Sequence, residues 1–304
     1  MVASPPVVSV VMPSYNCHAY IAAAIDSVLS QTFRYFELII IDNFSSDDTF
    51  EIAKSYSDTR IRIEQYQNQG VIAKSRNLGI QKSQGEIIAF LDADDFWFPT
   101  KLADCVSMID NEMDFVYHSE YWFDEQNNFK EVEYGSGNHS TYRNLLYKGN
   151  VVSTSSVVVK KSALLNVGGF CEKECYKTAE DYDLWLRLSR NGTRFVYLKR
   201  LLGAYRIHST NSIKQENVHE SAMISVLSDH IRTDKKGIRR SLRARRRMSL
   251  LFAESGFTKA RNGEIKNSLQ KFLIALKHYP FGLHCWALLV CSIPFYCRIS
   301  KKKL

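Results

Sequence analysis

Three carboxylates, Asp92, Asp94 and Asp95, stand directly after the apolar run Ile87–Leu91. Carboxylates this close repel one another unless a cation neutralises them, and oxygen ligands are what Mg2+ or Mn2+ prefer. A hard cation held by one or two carboxylates usually completes its shell from water and substrate phosphates. The spacing therefore points to a metal-bound phosphorylated ligand. Asp94 or Asp95 could instead cap the helix that Pro99 begins, and in isolation the motif does not choose. A second acidic pair, Glu180-Asp181, precedes the amphipathic run Tyr182, Leu184, Trp185 and Leu188. Acidic residues are ordinary in a first helical turn, so this pair also needs context before it means chemistry. Asp183 follows two residues on, where helical geometry turns it away from Asp181.

The elements that must position these groups supply the context. Val7–Met12, Phe36–Ile41 and Ile87–Leu91 are dominated by apolar residues, as suits strands of a parallel sheet covered on both faces. Ile61–Glu64 reads as a shorter strand. Helical spacing or capping chemistry falls between them, at Ala19–Gln31, from Ser45-Ser46-Asp47-Asp48 to about Tyr56, and at Gly70–Ser83. Strand alternating with helix predicts an α/β fold, a doubly wound sheet with right-handed crossovers. In such sheets ligands gather at the carboxyl ends of the strands. Three strand ends deliver Tyr15 and Asn16, then Asp42, then Asp92 to Asp95, to one rim, which favours a ligand site over capping alone.

Five ordered segments resemble the family 2 glycosyltransferases: Val-Val-Met-Pro-Ser-Tyr-Asn at 10–16, Ile-Ile-Ile-Asp-Asn-Phe-Ser-Ser-Asp-Asp-Thr at 39–49, Ser-Arg-Asn-Leu-Gly-Ile at 75–80, Leu-Asp-Ala-Asp-Asp at 91–95 and Ala-Glu-Asp-Tyr-Asp-Leu-Trp at 179–185. The resemblance spans roughly residues 7–215 and implies a GT-A fold, Rossmann-like with a mostly parallel sheet, and an inverting, nucleotide-sugar-dependent enzyme. It places Pro13, Tyr15 and Asn16 at the base pocket, with Asp42 accepting from a base N–H. Arg76 would contact base or phosphates, and the Asp92-Ala93-Asp94 segment would hold the nucleotide sugar, Asp92 on the ribose. Asp94, the second aspartate of this DXD motif, would bind Mn2+ or Mg2+, with His208 near the metal and Arg206 and Glu180 available to phosphates or acceptor. Asp181 would be the general base. A UDP-sugar is the favoured donor, and the acceptor implied is a glycan or lipid-linked glycan in cell-surface polysaccharide synthesis. No Gln-x-x-Arg-Trp follows Asp181, so a single addition is expected rather than processive synthesis. Residues 118–178, rich in aromatics including Tyr121, Trp122, Phe123 and Tyr134, would shape the acceptor side, with a strand at 150–159 and a flexible turn at 135–138.

Charge divides the chain. Residues 1–229 carry 22 Lys and Arg against 29 Asp and Glu, whereas 230–304 carry 18 against 3. The expected organisation is therefore a catalytic domain over 1–228, with a nucleotide half 1–115 and an acceptor half 116–228, followed by a basic, amphipathic helical tail over 229–304. Arg239–Arg247 is the densest basic run, Ala260–His278 reads as an amphipathic helix, and the apolar stretch 281–299 precedes Lys301–Lys303. That stretch is shorter than the roughly 20 residues a span needs. A helix pair lying on a membrane surface suits it better than a span, and a helical hairpin packed on the catalytic domain or a partner is the alternative. The seven cysteines are scattered without zinc spacing, and no apolar leader follows Met1, so a cytoplasmic enzyme, peripheral on the inner face of the membrane, is expected. Two other readings remain open at this point. One is a metal-dependent nucleotidyltransferase or phosphohydrolase using the aspartates. The other is a non-enzymatic nucleic-acid binder using Arg239–Arg247, which leaves every acidic motif unused, so no nucleic-acid partner is expected. Oligomeric state is not encoded legibly.

Overall fold

The computed structural model describes residues 5–109, 112–124, 126, 128–135, 140–208, 216–234 and 238–300. It divides into two compact units, residues 1–145 with 149–214, and residues 146–148 with 215–304. Ser136-Gly137-Asn138 and Lys301–Lys303 lie outside the described residues.

The first unit opens with β1 (Val8–Ser14), α1 (Ile21–Leu29), β2 (Phe36–Asp42), α2 (Thr49–Lys54), β3 (Ile61–Gln65), α3 (Ile72–Lys82) and β4 (Ile87–Phe90). Every residue of β1, β2 and β4 is buried, as continuous apolar runs require of a sheet sandwiched between helices. The polar exceptions are satisfied inside: Ser9 Oγ donates to Glu37 Oε1 at 2.7 Å, and Arg62 reaches Glu37 Oε2 at 2.9 Å. These strands pair in parallel, in the order β3-β2-β1-β4. A Cβ at Gly79 would collide with the Val11 side chain, so glycine there lets α3 seat directly on β1.

Beyond β4 come β5 (Phe96–Trp97), α4 (Lys101–Val106), β6 (Phe115–Asp124), β7 (Phe129–Val132), α5 (Tyr142–Lys148), β8 (Val158–Lys160), α6 (Lys161–Asn166), α7 (Glu180–Arg190) and β9 (Phe195–Ile207). Among the described residues, the strands join one nine-stranded sheet running β3-β2-β1-β4-β8-β6-β9-β5, with β7 on β6. Its longest ladders, β6–β9, β1–β2 and β2–β3, are parallel, while β8, β7 and β5 pair antiparallel. The strand expected over 150–159 is confined to β8. A 3-10 turn over Thr154–Ser156 precedes it, because those hydroxyls are drawn to the acidic residues of the site.

The second unit contains α8 (Glu216–Thr233), α9 (Ile238–Arg261), α10 (Ile265–His278) and α11 (Leu283–Ser300). Residue 228 thus falls inside α8. The helix expected to start at 260 starts at 265, because Gly263 takes φ +86° and closes the end of α9. Phe252, Ala253, Phe272, Ala275 and Cys285 form the core of this unit. Arg243, Arg245 and Arg246 are exposed, but Arg247 is buried, so the basic run does not all face solvent. Leu269 and Leu273 on α10, and Trp286, Val290 and Ile293 on α11, repeat at helical spacing and are exposed, with Phe281 and Leu283 beside them. No described helix is long and apolar enough to cross a membrane.

Candidate active site

Arg76 is the hinge of the acidic centre. It lies on α3, only 3% exposed, which excludes the solvated helix face that most arginines occupy. Nη1 donates to Glu180 Oε1 and Nη2 to Asp92 Oδ1, both at 2.7 Å, and the guanidinium lies 5.3 Å from the centre of the Phe170 ring. Burial opposes its charge, but Asp92, Glu180 and Asp181 outweigh that and hold its pKa above the ordinary value. One side chain therefore ties the end of β4 to the start of α7.

The loop after β4 is held just as closely. Asp95 is buried; Ser155 Oγ donates to its Oδ2 at 2.6 Å and the Arg206 backbone N–H to its Oδ1 at 2.9 Å. Burial, then Asp94, Glu120 and Asp92, raise its pKa well above the carboxylate range. Asp94 and His208 meet, Oδ2 to Nε2, at 2.8 Å, and Arg206 Nε donates to the Asp94 carbonyl at 3.1 Å. Neither Asp94 nor Asp95 caps α4, whose cap position is Thr100. Ala93 is packed in the core. Tyr20 packs against His208 with ring centres 5.0 Å apart and planes tilted by 36°, and its ring also receives the Arg206 guanidinium at 4.7 Å.

A cavity of about 670 Å3 opens over this centre, lined among others by Arg76, Asp92, Asp94, Thr154, Glu180 and Asp181. Asp181 is half-buried. Its Oδ1 accepts from the Tyr182 N–H at 2.6 Å and its Oδ2 from the Thr154 hydroxyl at 3.2 Å. Burial first, and then the Glu180 charge, push its pKa up to about 7, against the lowering influence of Arg76 and these two donors. Asp183 points away and pairs with Arg187 at 2.8 Å. Trp122, Tyr134 and Tyr205 form an aromatic wall of the cavity. Trp122 Nε1 donates to Tyr134 Oη at 3.0 Å, and Tyr134 Oη to buried Glu120 at 2.6 Å, which locks that wall. Tyr121 and Phe123, from the same segment, do not line it.

Pro13, Tyr15, Asn16 and Asp42 gather at the adjoining ends of β1 and β2, outside the cavity lining. Tyr15 is 59% exposed, whereas Asp42 is fully buried. Asp42 accepts from Ser14, from Ser45 Oγ at 2.5 Å and from the Ser45 N–H at 2.9 Å. Asn16, at φ +46°, accepts from the Ser46 N–H at 2.8 Å, so the turn after β2 is stitched to the turn after β1.

Sequence reading did not single out Thr154, Ser155 or Asn77. Asn77 exchanges bonds of 2.9 and 2.8 Å with the Phe170 backbone, and a Cβ at Gly169 would strike its amide oxygen. The legible signal was composition: a hydroxyl cluster, Ser153–Ser156, interrupting an apolar run, and Gly168-Gly169 facing the Ser-Arg-Asn motif.

Acidic groups gathered at the strand ends of an α/β sheet, with a basic carboxylate beside them, mark a ligand site at the carboxyl edge of that sheet. The chain belongs to glycosyl transferase family 2, whose family model matches residues 9–168. It is 31% identical over 222 residues to UDP-Glc:alpha-D-GlcNAc-diphosphoundecaprenol beta-1,3-glucosyltransferase WfaP of Escherichia coli, covering 70% of this chain and 86% of that one. It is 33% identical over 215 residues to the O-antigen biosynthesis glycosyltransferase WbnJ of Escherichia coli, covering 68% and 82%. Among solved structures, S. aureus TarS 1–349 in complex with UDP-GlcNAc is similar at a TM-score of 0.68 and 18% identity, over 95% of this chain and 89% of that one. The mannosyltransferase PcManGT of Pyrobaculum calidifontis, solved with GDP-Man and Mn2+, is similar at 0.62 and 16%, over 98% and 84%. The enzyme is a glycosyltransferase, which leaves the nucleic-acid-binding and phosphohydrolase readings without support.

Proposed function

We propose that this enzyme transfers a sugar, with inversion, from a UDP-sugar to a hydroxyl of a lipid-linked glycan during cell-surface polysaccharide synthesis. The observation that carries this reading is a carboxylate of raised basicity, Asp181, sharing one cavity with Asp92 and Asp94. The acceptor hydroxyl donates its proton to Asp181 as its oxygen attacks the anomeric carbon. The bond from that carbon to the diphosphate breaks on the opposite face, and a single displacement inverts the configuration. Tyr15, beside Pro13, takes the base by stacking, and Asn16 and the enclosed Asp42 order the turns around it. Asp92 takes the ribose. Arg76 keeps the donor side in register with Glu180-Asp181, and the aromatic wall of Trp122, Tyr134 and Tyr205 offers a face to the acceptor sugar. The WfaP name, with its diphosphoundecaprenol-linked acceptor, supports this substrate class.

Asp94 and His208 would hold Mn2+ or Mg2+. Among the described residues no three His, Cys, Asp or Glu side chains converge on one point. A carboxylate and an imidazole 2.8 Å apart nonetheless fit a hard cation that takes its other ligands from water and diphosphate. Such an ion would offset the charge that builds on the leaving diphosphate. Replacing Asp94 by Asn should abolish the Mn2+-dependent part of UDP-sugar binding, read as a thermal shift. A ligand at about 100 times its Kd stabilises the native state by about 2.7 kcal/mol. An unchanged Mn2+-dependent shift in the variant would remove the metal from Asp94.

The second unit would hold the enzyme to the inner membrane face, where lipid-linked acceptors reside. Its exposed Leu273, Phe281 and Trp286, together with Arg243, Arg245 and Arg246, match the two attractions such a surface provides. Each fully immersed apolar side chain contributes about 1.5–3 kcal/mol, tenfold or more in partition. The variant Leu273→Ser, Phe281→Ser, Trp286→Ser should leave anionic vesicles on sedimentation while wild type stays with them. Wild-type protein that never sediments with vesicles would refute the anchor.

A further inference from the structure

The cavity is acidic, and one of its cations is unspent. Asp92, Asp94, Glu133, Glu180 and Asp181 line it, and among the described residues only Arg76 and Lys177 oppose them. Arg76 is consumed by Asp92 and Glu180. Lys177 is half-buried and, among the described residues, makes no ion pair and its ammonium no hydrogen bond, although five carboxylates line the same cavity. Its placement is built rather than incidental. The Lys177 N–H donates to the Glu174 carbonyl at 3.1 Å, and the next residue, Thr178, sits at φ +76°. A β-branched residue in the left-handed region costs on the order of 1–3 kcal/mol, a strain that persists only where surrounding structure imposes it. The Lys177 ammonium lies over Gly70, only 3.1 Å from where a Cβ would stand at that position. Glycine, itself at φ +75°, leaves the ammonium its place there.

We propose that Lys177 binds the diphosphate that joins the acceptor sugar to its carrier. The proposal rests on the transferase reading above and names the acceptor's anionic group as what this residue recognises. Lys177 stands four residues before Asp181, on the segment that leads into α7, and shares its cavity with Asp181, Asp92 and Asp94. An acceptor whose hydroxyl meets Asp181 extends its opposite end away from that carboxylate. A diphosphate there would be repelled by the acidic lining unless a cation met it. A lysine ammonium acts as a point charge for phosphate, a role that tolerates variable approach geometry.

Two synthetic acceptors distinguish the cases: GlcNAc joined through an α-diphosphate to a short alkyl chain, and the same sugar as a phosphate-free alkyl glycoside. Their binding to the full chain is measured by calorimetry with UDP and Mn2+ present, so that turnover is not required. Wild type should bind the diphosphate acceptor at least tenfold more tightly than the phosphate-free one. Lys177→Met should erase that difference, Lys177→Arg should restore most of it, and the affinity for UDP should not change. No preference in wild type, a preference that survives in Lys177→Met, or a loss of UDP affinity in that variant would each overturn the assignment. Transfer of a labelled sugar to these acceptors tests the underlying reading separately. Binding governed by Lys177 without transfer from any UDP-sugar would keep the anion site and sink the proposed reaction.

Discussion

Replacing Asp181 by Asn should lower kcat by roughly 10²–10⁴-fold, the contribution of a positioned general base. Donor affinity should stay near wild type, because among the described residues Asp181 bonds only the Tyr182 N–H and the Thr154 hydroxyl, both on its own side of the cavity. The wild-type pH profile gives the same residue a second readout. With burial and Glu180 holding its pKa at about 7, the carboxylate proposed as base is protonated and silent below that value. kcat/KM should therefore rise about tenfold per pH unit up to about 7 and then level off. Linkage fixes the sign for stability. The folded-state pKa lies above the unfolded value of about 3.9, so this carboxylate weakens the fold as pH rises from about 4 to 7. Asp181→Asn should consequently be no less stable than wild type at pH 8, measured by urea denaturation. A variant with full transfer activity would strip Asp181 of its role. One that loses activity together with several kcal/mol of stability would show it to be structural.

The largest stability effect should come from Arg76→Met. The substitution keeps most of the side-chain volume yet leaves Glu180, 5% exposed, and Asp92 without their shared cation. Removing one partner of a buried ion pair costs about 3–5 kcal/mol, because the remaining charge is stranded away from water. Guanidinium denaturation should show that loss with an unchanged slope, and the donor KM should rise, since Asp92 would no longer be oriented. A loss under about 1 kcal/mol would mean that water enters and solvates both carboxylates. The two substitutions thus separate what the site needs for chemistry from what it needs for shape.

The parallel half of the fold was legible because β1, β2 and β4 are dominated by apolar residues and each ends in a polar turn, a pattern that specifies both burial and the rim. What surrounds Asp92–Asp95 was less so. Ser155 serves Asp95 with its hydroxyl, the Asp92 N–H with the same oxygen, and the Trp97 indole with its carbonyl. Such contacts depend on a turn that brings residues some 60 apart together, and they leave no periodicity in the chain. The strand expected over 150–159 failed for that reason: local β preference yielded to hydrogen bonds with the acidic loop. Arg76 illustrates the same limit, since its helix has little amphipathic contrast and only the arrival of α7 shows which way the guanidinium points. In the second unit, the density of Arg239–Arg247 does not tell which of its arginines face solvent, and the packing of α9 encloses Arg247.

The acidic loop sits between β4 and β5, and β5 pairs with β9, Phe96 opposite Ala204 and Trp97 opposite Gly203. Its far anchor therefore comes from chain made about a hundred residues later, as do the Arg206 and His208 contacts. A polypeptide still leaving the ribosome can consolidate β1 to β4 while this loop waits, because distant pairings form only after their loop-closure entropy has been met. The acidic loop therefore acquires its last anchors only once the chain has been made through residue 208.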